Sequence, residues 1–180
     1  MLKPIVISWA LFGLLLLIFG ITAWQMHQRD LEVRERGIAC FDIVQLEQPG
    51  TEQNLYALVG AIHRLDATCS VERNLKTDYW FMPACYGGIA VWLLNLRRKS
   101  KKWLSVILLV AAILQALPWI FDLVENAHLL RVLKGEQLGM DFGRWQLMVG
   151  SKFIIAEVGA VLAIVVSVVK PVFRRYVNIS

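Results

Sequence analysis

The sequence predicts an all-α integral membrane protein, a four-helix bundle with an extracytoplasmic helical cap between its first and second helices. Three observations predict it. The chain of 180 residues is 57% hydrophobic, with a mean hydropathy of +0.55, where a soluble domain is about half apolar. The excess is gathered into four blocks instead of being spread with amphipathic periodicity. The net charge of +5 is concentrated between and after those blocks. Backbone groups in hydrocarbon must bond within their own segment, so apolar blocks of this length are helices. At this length one bundle over residues 1–180 is the expected domain count.

The first block, residues 4–24, reads PIVISWALFGLLLLIFGITAW and has no charge. At ~1.5 Å per residue it is long enough to span. It exceeds the ~7–15 apolar residues of a cleavable signal and ends on the interfacial Trp24, which predicts an uncleaved signal anchor. The second block covers residues 79–96, the third 103–123 and the fourth 147–169. Tyr79, Trp80, Trp103 and Trp145 stand at block ends, as interfacial aromatics do. Gly87 and Gly88 suit close helix packing better than phosphate binding.

Residues 25–78 are too long for a plain connector and form the expected cap. Pro49-Gly50 makes a turn, Thr51 an N-cap, and Glu52 lies in the first turn that follows. Leu55, Leu58, Val59, Ile62 and Leu65 then define one apolar face. A further helical piece is expected over residues 31–47, with Glu32 and Arg36 paired at i, i+4. Cys40 and Cys69 lie in this segment, and in an oxidising compartment they are expected to form a disulfide worth ~3–4 kcal/mol. Cys85, inside the second block, reads as a small packing residue.

Arg97, Arg98, Lys99, Lys101 and Lys102 crowd the link between the second and third blocks without an acid. Lys170, Arg174 and Arg175 follow the last block, and Lys3 precedes the first. Residues 25–78 hold more acids than bases. The positive-inside rule then puts both termini in the cytoplasm, in a multi-pass protein expected in a bacterial inner membrane. The basic link reads as a topology determinant that also touches anionic lipid. Nucleic acid is not an expected partner, because no folded or aromatic-laced surface surrounds these cations.

The stretch LPWIFDLVENAHLL, residues 117–130, carries the chemistry. Asp122 lies ~29 Å along the helix axis from Trp103, near the full ~30 Å of hydrocarbon. Its polar group therefore falls at the outer boundary. Asp122, Glu125 and Asn126 share a face that lipid would reject, and Pro118 can kink the helix by leaving the Leu114 carbonyl without a donor. Lys152 on the fourth helix falls within a turn of Asp122, which predicts a Lys152–Asp122 or Lys152–Glu125 ion pair. Glu157 lies deeper, ~18 Å from the Val169 end, level with Gln115 and near Tyr86. A carboxyl there is either protonated and bonded or faces a polar cavity.

Glu125-x-x-His128 has the spacing of a di-metal helix, but the chain lacks the second pair and two further glutamates that such a site needs. His27, His63 and His128 fall on one side of the membrane without a close-spaced ligand pair, so no metal is expected. Cys-x-x-Cys, a nucleophile elbow and a phosphate loop are absent from the sequence, and no cofactor is expected.

Two stretches carry a resemblance. LKTDYWFMPACY supplies Asp78, Phe81 and Tyr86, and LPWIFDLVENAHLL supplies Asp122, Glu125 and Asn126. Together they resemble a family of uncharacterised four-helix bacterial membrane proteins, over about half the chain. That family has an Asp-x-x-Phe-x-x-x-x-Tyr start to its second helix and Asp-x-x-Glu-Asn late in its third, and carries no established activity. The resemblance implies that Asp78 belongs with the polar cluster.

Three functions are open at this level. A lipid or small amphiphile would place its head group against Asp78, Asp122, Glu125, Asn126 and Lys152, with Tyr86 and Glu157 as the floor. An enzyme acting on a lipid-borne substrate would use Glu157 or Glu125 as acid or base. An accessory protein beside a membrane-protein partner would use the cluster only as a clasp between helices.

Overall fold

The computed structural model describes residues 4–98 and 100–177, with side chains over 6–98 and 100–169. Lys3, Lys99 and the side chains of Lys170, Arg174 and Arg175, part of the expected basic asymmetry, lie outside that set. Every regular element among the described residues is a helix: α1 Pro4–Glu35, α2 Val44–Glu47, α3 Glu52–Arg64, α4 Thr68–Arg97, α5 Lys102–Leu114, α6 Ala116–Val132 and α7 Phe142–Val177.

Three helical stretches are long and apolar enough to cross a membrane: Val6–Glu35, Lys102–Val132 across α5 and α6, and Phe142–Val169. Only 6% of the most apolar window of α1 is buried inside the protein. Trp9, Leu14, Leu17 and Ile21 all lie exposed along it. An apolar surface that long is at home in hydrocarbon and not in water, which gives the chain the character of a membrane protein.

The second apolar block forms part of a longer helix. α4 starts at Thr68, well before Tyr79. One face of its first turns is polar because it meets α1: Ser70 Oγ donates to Glu32 at 3.0 Å and Asn74 Nδ2 to Asp30 at 2.7 Å, while Arg73 and Lys76 on another face are exposed. Arg29 of α1 donates to the Thr77 hydroxyl. The antiparallel pair then keeps one register. Phe19 packs on Phe81, Leu15 lies against Gly87 and Gly88, and Ser8 Oγ donates to Asn95 at 2.6 Å. α4 also packs on α5, α6 and α7. A helix enclosed by four others needs small and bonded residues, which is why α4 is less apolar than the helices around it.

Between α1 and α4 the expected helix over 31–47 is mostly absent. α1 stops at Glu35, and Gly37 with φ 109° and Cys40 with φ 59° turn the chain; left-handed residues of this kind end helices. Only Val44–Glu47 is helical again. The expected Glu32–Arg36 pair does not form: Glu32 accepts from Ser70, and Arg36 reaches Asp66 at 3.6 Å. α3 forms where the apolar spacing predicts it. The Thr51 side chain accepts from Asn54 N at 3.1 Å, Leu55, Val59 and Ile62 are buried, and Leu65 lies exposed past the end.

Cys40 and Cys69 are both exposed free thiols, so the expected disulfide is not formed. Ser70 faces α1 through Glu32, and Cys69, ~100° around the helix from it, is exposed. Trp103 is exposed at the start of α5 and Trp80 is exposed in the middle of α4, whereas Trp145, expected at an interface, is 0% exposed.

The apolar core has two parts. One gathers Val33, Phe41, Leu46, Leu55 and Ile62 with Leu129, Leu138 and Trp145. It binds the segment between α1 and α4 to the α6–α7 corner. Tyr56 Oη accepts there from Leu138 N at 3.1 Å, and Gln146 Nε2 donates to Gly50 O at 2.9 Å. The other part, Leu93, Leu108, Ala112, Ala163 and Val166, joins α4, α5 and α7 near the basic link.

α5 and α6 are one stretch broken at Gln115, where Pro118 leaves the Leu114 carbonyl without its donor. Gln115, 2% exposed, turns its amide across to Ile155 O at 3.2 Å and packs on Gly159. A Cβ at Gly159 would meet the Gln115 amide, and Ile89 at 3.2 Å; one at Gly150 of the same helix would meet nothing within 4 Å. Gly159→Val is therefore expected to cost about 1–3 kcal/mol by overpacking. Gly150→Ala is expected to be neutral or to stabilise by up to about 1 kcal/mol. Detergent-solubilised unfolding curves of the two variants against the parent check both.

Candidate functional site

The polar face of α6 turns inward. Asp122, Glu125 and Asn126 lie on one side of that helix by 3 and 4 spacing. They meet Lys152 of α7, Asp78 and Tyr86 of α4, and Glu47 of α2. None of the seven is more than 8% exposed.

Lys152 is the centre. Its Nζ donates to Asp122 Oδ1 at 2.5 Å and to Glu47 Oε2 at 2.8 Å. Glu125 Oε2 stands 2.5 Å from the same nitrogen, an ion contact lying off the hydrogen-bond directions. Both Glu125 oxygens are thus without a hydrogen-bond donor among the described residues. The Phe153 ring centroid is 4.8 Å from Nζ, within cation–π range. Asp122 also accepts from the Tyr86 hydroxyl. Asn126 Nδ2 donates to Asp78 Oδ2 at 2.7 Å.

Three carboxyl groups thus contact one ammonium in a nearly dry space, with the Asp78 carboxyl bonded to Asn126 beside them. Each desolvated charge is costly unless paired and bonded. Burial pushes the Glu47 carboxyl above its ordinary range, and the Lys152 ammonium beside it pulls back part of that rise. The exposed Glu72, held by Lys76 at 2.7 Å, lies below its ordinary range for the opposite reason: a bonded cation and free water.

Both expected partners of Lys152 are in place. Tyr86 joins through Asp122, and Asp78, implied by the resemblance, joins through Asn126. Glu157 does not join. It is exposed on α7, because the buried stripe of that helix runs Trp145, Val149, Lys152, Gly159, Ala163 and Val166. Five residues beyond Lys152, Glu157 is ~140° around the axis from it. Of the two residues expected as a floor, only Tyr86 lies with the cluster.

Sequence reasoning missed Glu47. It lies in a four-residue helix behind a left-handed turn, and nothing in VQLE separates it from a surface acid. Its only trace is the apolar Phe41, Ile43 and Leu46 just before it, which bury α2. The buried Asp30–Asn74 pair was missed for a similar reason: it exists only because α1 outruns its apolar block.

Among the described residues no group of three or more His, Cys, Asp or Glu side chains is arranged to hold a metal ion. Lys152 takes the place a cation would occupy. His63 is exposed, with Nδ1 3.4 Å from the Thr68 hydroxyl. Cys85 is a half-buried free thiol on α4.

The arrangement binds four segments of chain together, α2, α4, α6 and α7. No family model, curated protein or solved structure matches this chain, so the likeness to four-helix bacterial membrane proteins rests on the two motifs alone.

Proposed function

We propose that this is a four-span protein of a bacterial inner membrane, crossing at about residues 4–24 of α1, 79–96 of α4, 103–123 of α5–α6 and 147–169 of α7, with both termini and the basic link cytoplasmic and residues 25–78 as an extracytoplasmic cap. In this reading it is a non-catalytic accessory protein. The buried charge cluster clasps the cap to the helices, and α7 docks a partner helix. The acid-rich composition of residues 25–78 and the acid-free basic link support the orientation.

The observation that carries the accessory role is the exposure of Glu157. It stands ~15 Å from Leu147 and ~18 Å from Val169, near mid-depth of the proposed span. Its exposed neighbours are Ile154, Val158 and Val161. A carboxyl facing lipid there costs ~2.5–3.5 kcal/mol on insertion scales. A donor from a neighbouring helix removes that cost. The enzyme reading has less support: Glu125 is sealed, and Glu157 makes no hydrogen bond among the described residues. A lipid head group at the cluster would need the cap to lift first.

A photoreactive side chain at Val158 or Val161, activated in native membranes, tests this role. One defined protein adduct is expected, retained in Glu157→Gln and lost in Glu157→Leu. Crosslinks to lipid alone would overturn the docking role. Orientation is tested separately with a membrane-impermeant thiol reagent: Cys40 and Cys69 should label in intact cells, and Lys101→Cys only after permeabilisation.

A further inference from the structure

We propose that the groove between the upper halves of α1 and α4 binds the phosphate of an anionic phospholipid. The site goes beyond the accessory role and rests only on the proposed position of residues 25–78 at the membrane surface. The groove has a volume of about 450 Å³ and a graded lining: Ile18, Ile21 and Trp80 at one end, Arg29, Arg73 and Lys76 at the other.

The gradient follows both helices. On α1, Arg29 lies ~16 Å beyond Ile18 and ~7–8 Å beyond Trp24, where the apolar block ends. On the antiparallel α4, Arg73 lies ~10 Å above Trp80. Trp24 and Trp80 are 63% and 69% exposed, the position of interfacial aromatics. The apolar end therefore meets acyl chains where the cationic end meets head groups.

The cations are prepared for an anion. Arg29 donates from one terminal nitrogen to Arg73 O at 2.7 Å and to Thr77, which fixes its guanidinium and leaves its other donors. Arg73 is exposed, and its guanidinium makes no hydrogen bond or ion pair among the described residues. Lys76 is exposed and shares only Glu72. Nearby acids are engaged elsewhere: Asp30 by Asn74 and Glu32 by Ser70. Three cations on one groove run against the acidic balance of the segment that bears them. A phosphate diester is the anion that brings two acyl chains to the apolar end.

The test uses the full chain in membrane discs of phosphatidylcholine with a minority of phosphatidylglycerol, with retained lipid read by native mass spectrometry. Arg73→Gln/Lys76→Gln is expected to lower phosphatidylglycerol retention about ten-fold or more. Arg73→Lys/Lys76→Arg should retain it, which separates charge from folding. Arg64→Gln/Arg144→Gln, two exposed cations outside the groove, should retain it too. Unchanged retention in the first variant, or equal loss in this control variant, would overturn the site. Displacement by excess inorganic phosphate would assign the groove to a soluble anion and overturn the lipid. If the cap labels from the cytoplasmic side, it is the orientation that fails, whatever the lipid result.

Discussion

Lys152→Met is expected to lower stability by about 3–5 kcal/mol, the cost of leaving buried charge without its partner. The variant removes the only ammonium facing Glu47, Asp122 and Glu125. The defect should depend on pH. Glu47 is already pushed up by burial, and loss of the cation pushes it further. A carboxyl with a raised folded value contributes stability that is present below its unfolded value, ~4.3, and lost as pH rises through the folded one. The gap between variant and parent therefore widens from acid to alkaline pH in unfolding measurements of the solubilised protein. A pH-independent gap would mean that Lys152 acts through packing alone. Glu125→Gln provides the contrast. That side chain is 0% exposed and its oxygens have no hydrogen-bond donor among the described residues; losing its ion contact still leaves Lys152 paired with Asp122 and Glu47, so removing one of three buried carboxyls around a single ammonium costs little. A change within about 1 kcal/mol is expected, with partial rescue of Lys152→Met in the double variant.

Trp145→Ala is expected to cost about 3–5 kcal/mol and to release the segment between α1 and α4 without parting α4, α5 and α7. Trp145 is the largest fully buried side chain and packs in the cluster shared by α3, the chain around Phe41 and the α6–α7 corner. Its Nε1 has no hydrogen-bond partner among the described residues, so the loss is one of packing. Hydrogen exchange should speed over Glu52–Arg64 while the helices around Leu93, Leu108 and Ala163 keep their protection. Uniform loss across both clusters would show the two parts of the core to be one cooperative unit.

The buried charge cluster accounts for the polarity of α6. A stretch bearing Asp122, Glu125 and Asn126 within an apolar run is unstable against lipid and stable against Lys152, Tyr86 and Asp78. The arrangement also ties down the chain between α1 and α3, because Glu47 reaches Lys152 from a segment with little regular structure of its own.

The sequence by itself determined the apolar helices, the amphipathic α3 with its Thr51 cap, the break before Pro118 and the pairing of Lys152 with α6. All of these follow from spacing along one helix or from heights on two, and such relations survive without coordinates. The tertiary structure alone decided the rest. Glu47 entered the cluster because Gly37 and Cys40 turn the chain back over α7, a left-handed geometry with no side-chain pattern to announce it. Glu157 left the cluster because height does not specify azimuth: only packing on α4 and α6 chose which side of α7 faces inward. Cys40 and Cys69 stayed apart because one helical step separates a residue facing α1 from one facing outward. α4 ran past its apolar block because its partners are other helices, and a buried helix surface need not resemble one that faces lipid.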